Sequence, residues 1–161
     1  MRPVIGWTVG VIMALSIVAC ARGVAKSAAG PSQARHLIVG AWHLARLHAV
    51  GPDGTMQTIA DAKGSLIYTP TGVVSVQVMY ATPISNEYTR EGYEGSFGRY
   101  VIDEATKTVT HHYEGSFVRS LIGHDLPRRY EFVDGRLIIS PTRADEHWSV
   151  VWERVIEEKN R

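Results

Sequence analysis

Residues 128–140 read RRYEFV, then Asp134-Gly135, then RLIIS. Two runs that alternate apolar and polar residues, joined by Asp-Gly, form a strong local signal for a β-hairpin, because both central positions of a tight hairpin turn need positive φ. The same grammar recurs along the chain. VGAWHLARLHAV (39–50) runs into Gly51-Pro52-Asp53-Gly54, and TMQTI (55–59) can pair back. GSLIYT (64–69) and VVSVQVMY (73–80) flank Pro70-Thr71-Gly72, while SFGRYVID (96–103) turns through 104–107 into TVTHHYEGSF (108–117). HWSVVWERVI (147–156) closes the series. Connections this short join antiparallel neighbours, and no amphipathic helix interrupts them. These runs make eight or nine strands, and an all-β meander of this size closes into a barrel or stacks as a sandwich; the barrel is favoured, since closure removes the sheet edges that a meander would otherwise expose. The long polar stretch ATPISNEYTREGYEG (81–95) is expected to be a loop or lid.

The first residues differ in kind. Arg2 precedes the apolar run PVIGWTVGVIMALSIVA and then Cys20, the single cysteine of the chain. A basic lead, an apolar middle and small residues before a cleavage point describe a secretory signal over residues 1–19. Ile17-Val18-Ala19-Cys20 is similar to a bacterial lipoprotein cleavage box, which makes Cys20 the expected lipidated first residue of the mature protein. Ordinary cleavage near Ala19 and an uncleaved anchor are the alternatives, and all three export the domain. Residues 20–36 are small and polar, as a flexible tether would be, and the barrel domain is expected over 37–157. With no second cysteine, the domain must stand on its core without a disulfide. Seventeen basic and sixteen acidic residues recommend neither nucleic acid nor an anionic surface as a partner. The membrane enters only through the expected lipid anchor at Cys20, so the localisation expected is the cell envelope, facing the periplasm.

From Leu37 to Val155 the chain resembles the bacterial and fungal lipocalin-like domain proteins. The residues that carry the resemblance are Val39-Gly40-Ala41-Trp42, GSLIYTPTG (64–72), SVQVM (75–79), GRYVIDEATKTVTHHYEGS (98–116), Gly123, RRYEFVDGRLIIS (128–140) and Val151-Trp152-Glu153-Arg154-Val155. The resemblance implies an all-β fold, an antiparallel up-and-down lipocalin-like β-barrel of eight to ten strands, and it implies a structural role for Trp42 and Arg154, with the arginine of the last strand packed over the tryptophan of the first at the closed end. Two departures stand out. The family's tryptophan after the His-His strand is absent from FVRSLIG (117–123), and the 81–95 segment is short.

His111 and His112 are adjacent on a strand, so they point to opposite faces. Val109, His111 and Tyr113 make the more apolar row and are expected inside, with His112 and Glu114 outside. His111 reads first as a hydrogen-bonded core residue and second as a ligand contact. His43 and His48, five apart, fall on opposite faces of a regular strand. No set of histidines, cysteines and carboxylates has metal-ligand spacing, so no metal and no cofactor is expected; a single-histidine haem site stays open as a minor alternative. No nucleophile motif is present. Arg128-Arg129 resembles an anion clamp of which only one member can point inward. The expected lining of a ligand cavity is Tyr68, Ser75, Gln77, Met79, Tyr100, His111, Tyr113 and Tyr130, a mixture of apolar wall and few polar groups typical of small-molecule pockets. The function expected is binding of a small, largely hydrophobic molecule. The alternatives are an isomerase or cyclase acting on such a molecule, and a filled barrel serving as a cell-envelope interaction module.

Overall fold

The computed structural model describes residues 33–51 and 53–156. The expected signal, Cys20 and most of the tether lie outside the described residues. A short helix, α1 (Gln33–Ile38), leads into nine strands: β1 (Gly40–Val50), β2 (Met56–Thr58), β3 (Lys63–Tyr68), β4 (Val73–Met79), β5 (Tyr93–Asp103), β6 (Thr108–Ser116), β7 (Asp125–Val133), β8 (Arg136–Pro141) and β9 (Trp148–Arg154). The helix takes in residues 33–36, the end of the expected tether. They are anchored instead: the Ala34 amide donates to Glu104 Oε1 (2.9 Å), and Arg35 donates to the Pro70 carbonyl (2.8 Å).

All pairings are antiparallel, and each strand from β3 onward pairs with the next in sequence. β1 pairs with β9 from Trp42↔Arg154 to Ala49↔Trp148, which closes the sheet. The other edge of β1 meets β3 near its start and β2 near its end, so β2 and β3 together fill one position of an eight-stranded barrel. The Asp134-Gly135 hairpin forms as its sequence demands, with φ of 50° and 76°, the positive pair that a two-residue turn matching the strand twist requires.

Two bulges reset the inside–outside alternation. One falls between Leu44 and Arg46 in the β1–β9 ladder. It places Trp42 and Leu47 inside and leaves both His43 and His48 outside, where His43 meets Glu153 (3.2 Å) and His48 meets the Thr58 hydroxyl (3.2 Å). The expectation that these histidines face opposite ways is therefore overturned, because an extra residue shifts the parity of everything beyond it. The second bulge opposes Gly98 of β5 to Tyr113 and Glu114 of β6. A Cβ at Gly98 would run into the His112 carbonyl oxygen and the backbone beside it, which is why glycine stands there.

One end of the barrel is shut. Ile38, Trp42, Tyr68, Tyr100, Tyr130 and Leu137 are buried together, with Phe132 packed against them. The Arg154 guanidinium lies 4.1 Å from the centre of the Trp42 ring and donates to the carbonyls of Val39 (2.8 Å) and Leu37, and the Trp42 indole donates to the Ile38 carbonyl (2.9 Å). A cation over an aromatic face contributes about 0.5–2 kcal/mol, and each carbonyl bond adds about 1 kcal/mol more. Arg154→Leu should lower the unfolding free energy by about 2–3 kcal/mol, read as a lower urea midpoint at unchanged slope; a midpoint within error of the wild type would show that the closed end does not depend on this stack.

Candidate functional site

The opposite end holds a cavity of about 530 Å³. Strand alternation builds its wall. Leu47 and Ala49 come from β1 beyond its bulge, Leu66 from β3, Val76 and Val78 from β4, Ile139 from β8, and Val150 and Trp152 from β9. Residues 86–88 of the β4–β5 connection and 145–147 of the β8–β9 connection form the mouth. Four polar side chains complete the interior: Glu94 of β5, His111 and Tyr113 of β6, and Arg128 of β7.

Of the eight residues expected to line a cavity, the structure brings His111 and Tyr113 to it. Ser75, Gln77 and Met79 face the outside of β4, Met79 at 52% exposure, while Val74, Val76 and Val78 fill the inner face. That correction has a simple cause: in a strand reading VVSVQVM, the apolar alternate row is the one that gains from burial, and the polar row belongs to water. Tyr100 and Tyr130 are buried at the closed end, Tyr100 donating to the Thr69 carbonyl (2.7 Å) under the Arg35 guanidinium. Tyr68 sits one layer behind the cavity, where its hydroxyl meets His111 Nε2 at 2.6 Å.

The two histidines part company as alternation requires. His112 is outside and contacts Asp125 at 2.7 Å. His111 is 3% exposed, and both of its ring nitrogens are engaged, Nε2 by Tyr68 and Nδ1 by Tyr113 at 3.4 Å. Burial, helped by the positive charge of Arg128, pushes the imidazole pKa down to about 3, so the ring is neutral throughout the physiological range.

Arg128, 6% exposed, is the one member of the Arg-Arg pair that points inward; Arg129 is exposed. Its guanidinium lies 4.8 Å from the Tyr88 ring centre and 5.0 Å from that of Trp148. Glu146, 8% exposed, stands 3.9 Å away and accepts from the Tyr88 hydroxyl (2.8 Å) and the Trp148 indole (2.9 Å) through Oε2. On the outer side Arg143 reaches Glu146 (3.2 Å), Asp145 (2.5 Å) and Glu87 (3.8 Å). Tyr88 belongs to the 81–92 connection and Glu146 to the 142–147 connection, so this charge cluster ties the two sides of the mouth together. The 86–89 turn is itself fixed by Asn86, whose side chain accepts from the amides of Tyr88 and Thr89.

Glu94 was missed by sequence reasoning because it lies in the stretch read as loop. β5 begins at Tyr93, and counting back by twos from the buried Tyr100 would have put Gly98, Ser96 and Glu94 on the inner face. Its carboxyl makes no hydrogen bond to any described residue, and burial, only partly offset by Arg128, raises its pKa to about 7. An ionisable group so perturbed inside a cleft is a candidate functional position. Glu146, Tyr88 and Trp148 carried no motif; only their three-dimensional convergence on Arg128 identifies them.

A closed antiparallel barrel, shut by an aromatic floor and hollow at the other end, is the class of protein that these features define. The chain belongs to the lipocalin-like domain family, whose family model matches residues 39–155. Among solved structures it is similar to a redesigned β-barrel (14% identity, TM-score 0.41, covering 75% of this chain and 94% of that one). It is also similar to a mutant of the fluorescent protein UnaG (14% identity, TM-score 0.38, covering 76% and 99%). No curated protein matches the chain.

The opposed shifts of Glu94 and His111 predict a pH signature. Between pH 4.5 and about 7 the folded protein keeps a proton on Glu94 that the unfolded chain has released, so this group makes stability fall as pH rises. Between about pH 3 and 6.5 folded His111 lacks a proton that the unfolded chain holds, so it makes stability rise with pH. In the overlap, 4.5 to 6.5, the two slopes oppose each other. Glu94→Gln should remove only the falling one. The variant should therefore gain stability relative to wild type as pH increases from 4.5 to 7, measured by urea titration at the two ends. A difference that does not change with pH would mean that Glu94 titrates alike in both states.

Proposed function

We propose that this barrel binds one small, largely apolar molecule in its interior, exported and held at the cell envelope by a lipid on Cys20. The observation that carries the binding reading is the cavity itself: about 530 Å³ walled by Leu47, Val76, Val78, Ile139, Val150 and Trp152, with polar groups confined to one cluster. This volume is in the range of small-molecule pockets. A guest burying about 200 Å² of apolar surface would gain about 5 kcal/mol from transfer alone, while the charged cluster fixes its orientation. A filled barrel would have no such space, which favours binding over the interaction-module alternative.

The test is to recover the guest. Mass spectrometry of protein purified without detergent should show a bound small molecule released on denaturation. Val150→Phe, which adds a ring to the wall, should weaken its retention by about tenfold or more with the far-ultraviolet circular dichroism unchanged. Repeated preparations without a guest, together with no thermal shift from a lipophilic library, would reject the reading. The anchoring half stands on the sequence of residues 1–20 and is tested separately. Cys20→Ser should abolish acyl labelling and move the protein from the membrane fraction to the soluble one, and unchanged fractionation would remove the anchor from the proposal.

A further inference from the structure

The hydrogen bonds around His111 fix which way their protons point. Tyr68 is buried, and among the described residues its hydroxyl has a single partner, His111 Nε2 at 2.6 Å. If Nε2 carried the ring proton, the phenolic hydrogen of Tyr68 would have no acceptor, at a cost of the order expected for any buried unsatisfied donor. The neutral ring therefore accepts from Tyr68 at Nε2 and carries its proton on Nδ1. That proton points to the Tyr113 hydroxyl at 3.4 Å, so the Tyr113 oxygen acts as acceptor there and its own hydrogen is left over. Tyr113 lines the cavity, and no acceptor for its hydrogen is found among the described residues. Trp152, also in the wall, has a buried indole N–H with no partner among the described residues. Two donors thus stand without acceptors in the cavity wall, beside the unpaired carboxyl of Glu94.

Charge narrows the choice of guest. Arg128 is the guanidinium on the cavity lining, and it is already engaged: Glu146 stands 3.9 Å away, and the Tyr88 and Trp148 ring centres lie 4.8 and 5.0 Å from it. Glu87 and Asp145 at the mouth are held by Arg143, so a carboxylate or sulfonate would enter with no free countercharge among the described lining residues, and burying an unpaired charge is costly. We propose that the guest is uncharged and is recognised through a carbonyl oxygen, which accepts the hydrogen of Tyr113. Tyr68 and His111 act as positioning residues that keep Tyr113 a donor. The inference rests on the cavity reading above and adds to it the chemical class of the ligand.

Three naphthalene probes separate these statements: prodan (uncharged, with a ketone), phenylnaphthylamine (uncharged, without one) and anilinonaphthalene sulfonate (anionic). Val150→Phe reports whether any of them occupies the cavity. Tyr113→Phe should weaken prodan about tenfold, the loss of one buried hydrogen bond, and leave phenylnaphthylamine within about twofold on the same scale. The carbonyl stretch of bound prodan should lie below its value in hydrocarbon solvent and return upward in the variant. An equal effect of Tyr113→Phe on the two uncharged probes, or tighter binding of the sulfonate than of prodan, would overturn the carbonyl assignment while leaving the cavity reading intact. If Val150→Phe changes the binding of none of the three, the cavity reading fails and this inference with it. Should Tyr113→Phe not fold, the infrared shift in the wild type decides: an unshifted carbonyl overturns the proposal.

Discussion

The pairing of β1 with β9 is the contact on which the molecule depends. The ladders from β3 to β9 join strands that are neighbours in sequence and can form locally, whereas this one brings residues 42–49 against 148–154 and closes the meander into a barrel. In the closing ladder β1 carries a bulge around Ala45, which shifts the inside–outside parity of the residues beyond it. Past that point the inward row is Leu47 and Ala49, both on the cavity wall. The same strand thus contributes Trp42 to the floor and an aliphatic surface to the chamber.

The interior is unusual for what it keeps away from water. A guanidinium and a carboxylate buried together are costly to desolvate, and such a pair is poor evidence for stabilisation in itself. Here the pair does something that apolar residues could not. Arg128 comes from a barrel strand, Tyr88 and Glu146 from two different connections, and Trp148 from the start of β9. Because the arginine packs against two rings and the carboxylate accepts from two donors, the two sides of the mouth are set relative to the wall by directional contacts. The shape of the opening follows from electrostatics and not from packing alone.

Much of this fold was legible in the chain, because hairpin turns and period-two alternation are local signals. Asp134-Gly135 and Pro70-Thr71-Gly72 each join the strands expected of them, and the last strand was found to within a residue or so. The lining was harder to read. In VVSVQVM, valines occupy both rows, and the polar row was favoured on the idea that a ligand site should contain hydrogen-bonding groups; burial instead selects the row with no polar member. The cavity's own polar groups come from places that alternation can reach only when strand limits and bulges are known. Glu94 precedes the expected start of β5, His43 and His48 are brought to one face by a bulge, and Glu146 lies in a connection with no pattern. Arg128 and Arg129 are indistinguishable by type, and only their parity relative to Tyr130 separates them.

The His-His pair shows how far alternation can separate two identical residues. One peptide bond apart, His112 faces water against an aspartate and His111 faces the interior, neutral, with both nitrogens engaged by tyrosines. The bulge at Glu114 comes immediately after, where it cannot disturb this assignment. Had the extra residue fallen before His111, the ring now exposed would have been the one inside, and the one now joined to Tyr68 would have faced solvent. The chemistry of the cavity, a neutral imidazole between two phenols, is therefore a consequence of where a strand departs from regularity, and Gly98, which gives the bulge its room on the neighbouring strand, belongs to the site as surely as the residues that line it.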